Sequence, residues 1–178
     1  LLIVFGFLAA FGASELGQAL ARLMAARLAT PRPLPRMDAS AGIPIEARTL
    51  LAVPALLDSE DKVAALCATL EAHYLTNQDP NLRFCLLTDF ADAAQETAFG
   101  DAELLEQARA GIAALNARHG EATGHGAPFL LLHRPRSWSA GEGAWIGRER
   151  KRGQFADLNA LLRGGARERF CLVEGDLD

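Results

Sequence analysis

Continuous apolar runs alternate with helically spaced apolar positions from Arg48 onward. The first run, RTLLAVPALL at residues 48–57, has the composition of a strand that is covered on both faces. Similar runs occupy residues 82–90 (LRFCLLTDF), 128–134 (PFLLLHR) and 169–176 (RFCLVEGD). The pattern therefore predicts four buried strands.

Three segments between these runs carry apolar residues three or four positions apart, which is typical of one face of a helix. The three sets are Val63, Leu66, Cys67, Leu70 and Tyr74, then Leu104, Leu105, Ala108, Ile112 and Leu115, then Phe155, Leu158, Leu161 and Leu162. Asp58 is the expected cap of the first helix, and Gly164 with Gly165 ends the third. Strands that alternate with helices indicate an α/β fold with a mainly parallel sheet.

The amino-terminal segment has a different pattern, because residues 1–13 contain no charge and Glu15 is the only ionisable side chain before Arg22. A spanning helix needs about 20 mostly apolar residues, so we predict a transmembrane or membrane-proximal helix over residues 1–29. The alternative is a buried helix of a soluble protein, since Glu15 and Gln18 are costly in lipid. A secretory signal is disfavoured because no basic region precedes the apolar run.

Four arginines and a proline-rich stretch follow this segment. Arg22, Arg27, Arg32 and Arg36 arrive without an acid among them, and cationic flanks mark the cytoplasmic side of a membrane. We predict a basic linker over residues 30–47 and a cytoplasmic globular part over residues 48–178. The chain has no initiator Met and stops just after a strand-like run, so we expect it to be a piece of a longer protein.

Composition excludes several function classes. The 178 residues carry a net charge of −4, which argues against a nucleic-acid partner because such binding needs a broad basic face. The three cysteines are far apart among apolar neighbours, so we expect buried, reduced thiols. The histidines show no metal-ligand spacing, and no P-loop, G-x-G-x-x-G or G-x-S-x-G motif is present.

Polar groups at the carboxyl ends of the predicted strands are the candidates for ligand binding. Asp89 directly follows a buried strand, where its carboxylate can accept hydrogen bonds from a base or ribose, or can cap the next turn. Asp176 and Asp178 form a D-x-D, a pattern that suits Mg²⁺ or Mn²⁺ but is common after strands.

A basic cluster precedes the third predicted helix. Arg150, Lys151 and Arg152 come directly before Gly153, and Arg148 begins the same run, so cations, free helix N–H groups and a small residue coincide. This combination suits a phosphate group. The alternative is a solvated basic turn.

Several of these segments together resemble the glycosyltransferase region of the cyclic β-1,2-glucan synthases, which are bacterial inner-membrane enzymes. The segments are RTLLAVPALL, EAHYLTNQDPNLRFCLLTDFADA, LNARHG, HRPRSW…EGAWIGRERKRGQFADLNALLRG and the linker PRPLPRMD…GIP. The two blocks around DPNLRF and ERKRG are much more distinctive than a D-x-D.

The resemblance implies an inverting, processive glucosyltransferase on the cytoplasmic face of the bilayer, which uses UDP-glucose and a divalent cation to extend a β-1,2-glucan. The implied fold is the Rossmann-like first half of a GT-A-type domain. By the same analogy, the uridine contacts Pro54, Ser59, Glu60 and Asp89. The diphosphate faces Arg150, Lys151, Arg152 and Gly153, and Asn159 organises the helix behind them.

The chain departs from the family pattern in two places. Gln154 stands where the family is expected to have a lysine, which puts a phosphate contact there in doubt. The family's metal-binding acids are expected after a later strand, so Asp176 and Asp178 are expected to have no metal role. The general base, the acceptor subsite and most cation ligands are also expected downstream. Alternatives from other classes are a non-catalytic, membrane-tethered α/β binding module and another processive glycan synthase.

Overall fold

The computed structural model describes residues 1–29, 38, 40–123, 127–165 and 167–175. The chain divides into two units, Leu1–Asp38 and Ala39–Asp178. Half of the predicted linker, at residues 30–37 and 39, lies outside the described residues, as do Asp176 and Asp178.

The first unit contains helix α1, Leu2–Leu28. Its 27 residues correspond to about 40 Å of helix, longer than the hydrocarbon core of a bilayer. No α1 residue is buried, and its most apolar window has a mean hydropathy of 1.5. By length and composition, α1 is able to cross a membrane.

The second unit is built around a four-stranded sheet with helices between its strands. The strands are β1 (Thr49–Leu57), β2 (Leu82–Phe90), β3 (Phe129–Arg134), β4 (Arg136–Ser139), β5 (Ala144–Gly147) and β6 (Leu172–Glu174). The helices are α2 (Glu60–Thr76), α3 (Asp101–Thr123) and α4 (Arg150–Leu162).

The main sheet has the order β1-β2-β3-β6. Strands β1, β2 and β3 are parallel, which confirms the predicted α/β class and the parallel sheet. The fourth predicted strand is shorter than expected and runs antiparallel to β3. A separate antiparallel hairpin, β4–β5, was not predicted.

The alternation of side chains along β2 and β3 divides the core into two layers. Phe84, Leu86 and Phe129 pack with helices α2 and α3 on one face of the sheet. Cys85 and Leu87 pack with Leu158 of α4 on the other face. The sheet therefore buries both faces, as its continuous apolar runs predicted.

Two local expectations were wrong at helix ends and faces. Ser59, and not Asp58, holds the N-cap position of α2, because Asp58 accepts a hydrogen bond from Lys62 instead. Phe155 and Leu162 were expected on the buried face of α4 but are 41% and 49% exposed. The buried face of that helix carries polar Gln154 and Asp157, which face other polar groups.

The cysteines differ in burial. Cys85 is buried, and burial raises the pKa of its thiol to about 12. Cys67 is partly buried, whereas Cys171 is exposed, so the expectation of burial was wrong there. All three are unpaired.

Candidate functional site

A cavity of about 620 Å³ lies at the carboxyl ends of β1 and β2, next to the beginning of α4. Its volume is in the range of small-molecule and cofactor sites. Five of the residues predicted from sequence line it: Pro54, Asp89, Arg150, Lys151 and Arg152. Residues that are 98 positions apart along the chain therefore share one cleft, because parallel strands end at the same edge of the sheet.

Apolar residues from β1 and α2 together form one wall of this cavity. Pro54, Ala55 and Leu56 come from the end of β1, and Leu66 comes from α2. Lys62, one helical turn before Leu66, lines the same wall and is paired with Asp58. The cavity thus joins an apolar wall to a charged rim.

Asp89 is buried and held by Arg134. The Arg134 Nε donates to Asp89 Oδ1 at 2.8 Å, and its Nη2 donates to Oδ2 at 2.7 Å. Arg134 also donates to Asp157 Oδ2 at 2.7 Å. Burial by itself lowers the pKa of Arg134, but the hydrogen bonds that it donates to Asp89 and Asp157 outweigh that effect and raise it. The geometry fixes the Asp89 carboxylate at the cavity wall.

Asp157 extends this network on the α4 side. Its Oδ1 accepts hydrogen bonds from Arg148 at 2.5 Å and from Arg169 at 2.6 Å. Burial would raise the pKa of Asp157, but the hydrogen bonds from Arg134 and Arg169 lower it overall. The sequence analysis gave no site role to Arg134, Asp157 or Arg169, and it noted Arg148 only as part of the basic run. Arg134, Arg148 and Asp157 all lie within the block HRPRSW…EGAWIGRERKRGQFADLNALLRG, which is the signal that could have found them.

The backbone is left-handed at the start of α4. Glu149 has φ 53° and Arg150 has φ 50°, a conformation that is uncommon without glycine. No side chain caps this helix end, so no side-chain acceptor occupies the first N–H groups of α4. The positive end of the helix dipole therefore lies beside the cavity that Arg150, Lys151 and Arg152 line.

The three cations of the cluster have different partners. Arg150 pairs with Asp92 at 2.9 Å and with Glu142 at 2.5 Å, and the hydrogen bonds that it donates to these acids raise its pKa. Arg152 is 84% exposed and lies 3.1 Å from Glu149. Lys151 is exposed and has no ion pair among residues 1–29, 38, 40–123, 127–165 and 167–175. Lys151 is therefore the cation of the cluster that is readiest to take an external anion.

Gly153 is buried in the first turn of α4. A Cβ at this position would lie 1.9 Å from the carbonyl oxygen of Arg148 and 2.9 Å from Nη1 of Arg134. The close backbone approach explains why glycine is required. Direct contact of Gly153 with an anion stays a prediction, since Gly153 does not line the cavity.

Gln154 closes the inner side of the cavity. It is 2% exposed, and its Nε2 donates to the carbonyl oxygens of Ala55 at 3.3 Å and Leu87 at 3.4 Å. This side chain ties α4 to both β1 and β2. A neutral amide suits the position because it satisfies two backbone acceptors without burying a charge.

The remaining predicted residues lie away from the cavity lining. Ser59 donates to Asp58 at 3.3 Å, and Glu60 lines a separate groove with Cys67 and Gly111. Asn159 is exposed on α4. Their predicted nucleotide contacts stay predictions. The boundary between a linker at residues 30–47 and a globular part at residues 48–178 also stays a prediction.

A second cavity, of about 540 Å³, lies at the opposite ends of the strands. It is lined by Arg48, Thr49 and Leu50 at the start of β1, and by Arg83 at the start of β2. Asp89 and the basic cluster are absent from its lining. The cavity at the carboxyl ends is therefore the one that holds the candidate chemistry.

Comparison with known proteins finds one curated relative, a glucan synthase, that is similar to most of the chain. Over 123 residues, which is 69% of this chain, it is 47% identical to "Cyclic beta-(1,2)-glucan synthase NdvB" of Rhizobium meliloti (strain 1021). The chain is related to the cyclic β-1,2-glucan synthases. The matched region covers 4% of the length of that relative. No family model matches the chain.

The relationship confirms the resemblance that the DPNLRF and ERKRG blocks indicated. What the relative's name says about cyclic glucan synthesis applies to the whole of a much longer protein.

Proposed function

We propose that this chain forms the nucleotide-binding part of a membrane-bound, inverting glucosyltransferase that uses UDP-glucose to build a cyclic β-1,2-glucan. The observation that carries the proposal is the single cavity lined by Pro54, Asp89 and the basic cluster at residues 150–152. The relationship to a glucan synthase supports a sugar nucleotide as the ligand. A GT-A-type domain is the proposed fold.

The diphosphate is proposed to lie against the beginning of α4. Free N–H groups and the helix dipole favour an anion there, and Lys151 is available to pair with it. Arg150 is engaged by Asp92 and Glu142, so it would contribute to phosphate binding only by exchanging those partners. Arg152 adds long-range positive charge from its exposed position.

The uridine is proposed to lie against the wall formed by Pro54, Ala55 and Leu66. Asp89 is suited to accept a hydrogen bond from the ribose or the base, because each carboxylate oxygen has lone-pair capacity beyond its bond to Arg134. Arg134 acts here as a positioning residue. It holds the carboxylate in one orientation before any ligand arrives.

The divalent cation of such an enzyme does not fit the described residues alone. Among residues 1–29, 38, 40–123, 127–165 and 167–175, no group of three or more His, Cys, Asp or Glu side chains is arranged to hold a metal ion. We therefore derive no step through Mg²⁺ or Mn²⁺. That the cation is bound mainly by residues downstream stays a proposal.

The chemical work of this chain is then electrostatic. Transfer of glucose leaves negative charge on the departing UDP, and preorganised cations and N–H groups stabilise that charge as it develops. Fixed walls also orient the sugar nucleotide for attack. Helix α1 would anchor the globular part to the bilayer, with the globular part on the cytoplasmic side.

Titration of the chain with UDP in detergent micelles tests this function. Replacing both Lys151 and Arg152 by alanine should weaken UDP binding by about tenfold or more, since a hydrogen bond to a charged group contributes about 1.5–3 kcal/mol. Arg163→Ala is the matched control, because Arg163 is an exposed arginine at the other end of α4. Absence of saturable UDP binding to the wild-type chain would instead favour a non-catalytic binding module.

A further inference from the structure

Hairpin β4–β5 presents a pair of tryptophans. Trp138 and Trp145 are directly opposite each other across the antiparallel strands. Their ring centroids are 6.1 Å apart and the ring planes meet at 63°. Trp138 is 54% exposed, although its ring is one of the largest apolar surfaces a side chain offers. Such an exposed aromatic surface is a candidate for ligand contact.

The hairpin is fastened at two points, so the tryptophans have a defined position. Trp145 exchanges two backbone hydrogen bonds with Ala93, both of 2.9 Å, which attaches β5 to the segment after β2. Glu142, in the turn of the hairpin, binds Arg150 at the beginning of α4. Trp145 supports the ring of Trp138 from the side through their edge contact. A rigid aromatic surface loses little conformational freedom when a ligand binds.

The tryptophan pair lies near the cavity, two residues along β5 from Gly147 of its lining. Side chains alternate along a strand, so Trp145 and Gly147 lie on the same face of β5. Gly147 lines the cavity and is so close to Asp89 that a Cβ on it would lie 2.2 Å from Oδ2. Two residues of strand span about 7 Å, so the tryptophans begin about that distance from the cavity wall.

We propose that Trp138, supported by Trp145, is a stacking surface for the glucose rings of a β-linked glucan, beside the nucleotide cavity. This inference rests on the proposed function, since it assigns the partner of the sugar that UDP-glucose would deliver. A β-glucopyranose has its hydroxyl groups equatorial, so each ring face consists of axial C–H bonds and is apolar. Such a face packs flat on an indole ring.

The polar surroundings of Trp138 match a sugar better than a lipid or a protein surface. Glu142 lies in the adjacent turn of the hairpin, and its side chain is 48% exposed. A carboxylate near an aromatic ring can accept hydrogen bonds from the equatorial hydroxyls at the edge of a glucose ring. One exposed tryptophan with a half-buried partner is also too small an apolar area for a stable protein interface.

The test is a binding measurement on the chain in detergent micelles, with a short β-1,2-linked glucose oligosaccharide and UDP as separate probes. Trp138→Ala should weaken oligosaccharide binding at least about fivefold, since it removes the stacked ring. Trp138→Phe should retain part of the binding. Phe99→Ala is the matched control, because Phe99 is a fully exposed aromatic residue outside the hairpin, and it should leave binding unchanged.

The two probes separate this inference from the proposed function. UDP binding should be unaffected by Trp138→Ala, and oligosaccharide binding should be unaffected by the Lys151→Ala, Arg152→Ala double variant. The proposed stacking surface is overturned if the oligosaccharide does not bind, or if it binds equally well to Trp138→Ala, even when UDP binds normally. A loss of UDP affinity in Trp138→Ala also overturns it, because the ring would then serve the nucleobase. If the oligosaccharide binds in a way that depends on Trp138 but UDP does not bind, the stacking surface is supported and the nucleotide site is contradicted.

Discussion

Arg134 grips Asp89 through two parallel hydrogen bonds of 2.8 and 2.7 Å, with both side chains almost completely buried. The pair joins the ends of β2 and β3, and Arg134 also reaches Asp157 on α4. Three elements that form the candidate site are therefore held by one guanidinium group. This arrangement makes the site a rigid part of the fold.

Arg134→Met should strongly destabilise the globular part. Removing one partner of a buried ion pair leaves an uncompensated buried charge, which costs about 3–5 kcal/mol. The free energy of unfolding by urea measures this loss. Arg118→Met is the control, because Arg118 is 59% exposed in its pair with Glu71 and should change stability by less than about 1 kcal/mol. Equal losses for the two variants would mean that the buried network does not stabilise the fold.

Gly147→Ala should damage both stability and UDP binding. The new methyl group would lie 2.2 Å from Oδ2 of Asp89, which Arg134 holds in place. Overpacking of this kind costs about 1–3 kcal/mol, and a displaced Asp89 would no longer line the cavity as it does now. Gly141→Ala in the same hairpin has open space around it and is the control. Thermal unfolding and UDP titration of both variants check the prediction, which fails if they behave alike.

His133 should make the globular part less stable in acid. It is fully buried between Phe90 and Thr88, and Nε2 of its ring has no hydrogen-bond partner among the described residues. Burial is the main cause that lowers its pKa from 6.5 to about 4, with the arginines at 134 and 136 contributing against the opposing effect of Asp101.

The sign of this effect follows from proton uptake. Between pH 6.5 and about pH 4 the unfolded chain binds a proton at this histidine and the folded chain does not, so stability decreases as the pH falls through that window. The contribution is about 3 kcal/mol on the scale of 1.36 kcal/mol for each pKa unit. Urea unfolding at pH 7.5 and pH 4.5 measures it. His133→Phe removes the titrating group, and an unchanged pH dependence in that variant would show that other groups are responsible.

Helix α1 should hold the chain in membranes. Replacing Phe7 and Phe11 by arginine places two charges within its apolar part, and each costs about 2.5–3.5 kcal/mol near the centre of a spanning helix. The variant should move from the carbonate-resistant membrane fraction to the soluble fraction. Leu28→Arg is the control, because a cation at the helix end can extend to the interface. A wild-type chain that carbonate extracts would contradict membrane anchoring.

The parallel strands could be predicted from sequence because burial on both faces leaves a continuous apolar run. Strand β2 was predicted with its exact bounds, Leu82–Phe90, and β1 and β3 within one residue. Hairpin β4–β5 was missed because each of its strands has only four residues and no such run. Its position depends on pairing with Ala93, far away in sequence.

Only some of the site residues could be predicted from sequence, because the others are brought together by contacts between distant parts of the chain. A charge cluster before a helix, as at residues 150–152, is visible locally, and so is an acid at a strand end such as Asp89. The bond between Asp89 and Arg134 joins residues 45 positions apart, and no local pattern reveals it. Phe155 was wrongly predicted to be buried, because spacing alone does not show that Gln154 and Asp157 are on the buried face of α4 instead.

Photolabelling with 5-azido-UDP, followed by mass spectrometric mapping of the labelled peptides, tests the central claim most directly. Two cavities of similar volume lie at opposite ends of the strands, so the position of the labelled peptide shows which of them binds the nucleotide. A uridine bound against the β1 and α2 wall should give saturable labelling in the peptide that contains Pro54 to Leu66, and excess UDP should prevent it. Labelling of peptides around Arg48 and Arg83 instead, or no labelling that UDP prevents, would contradict it.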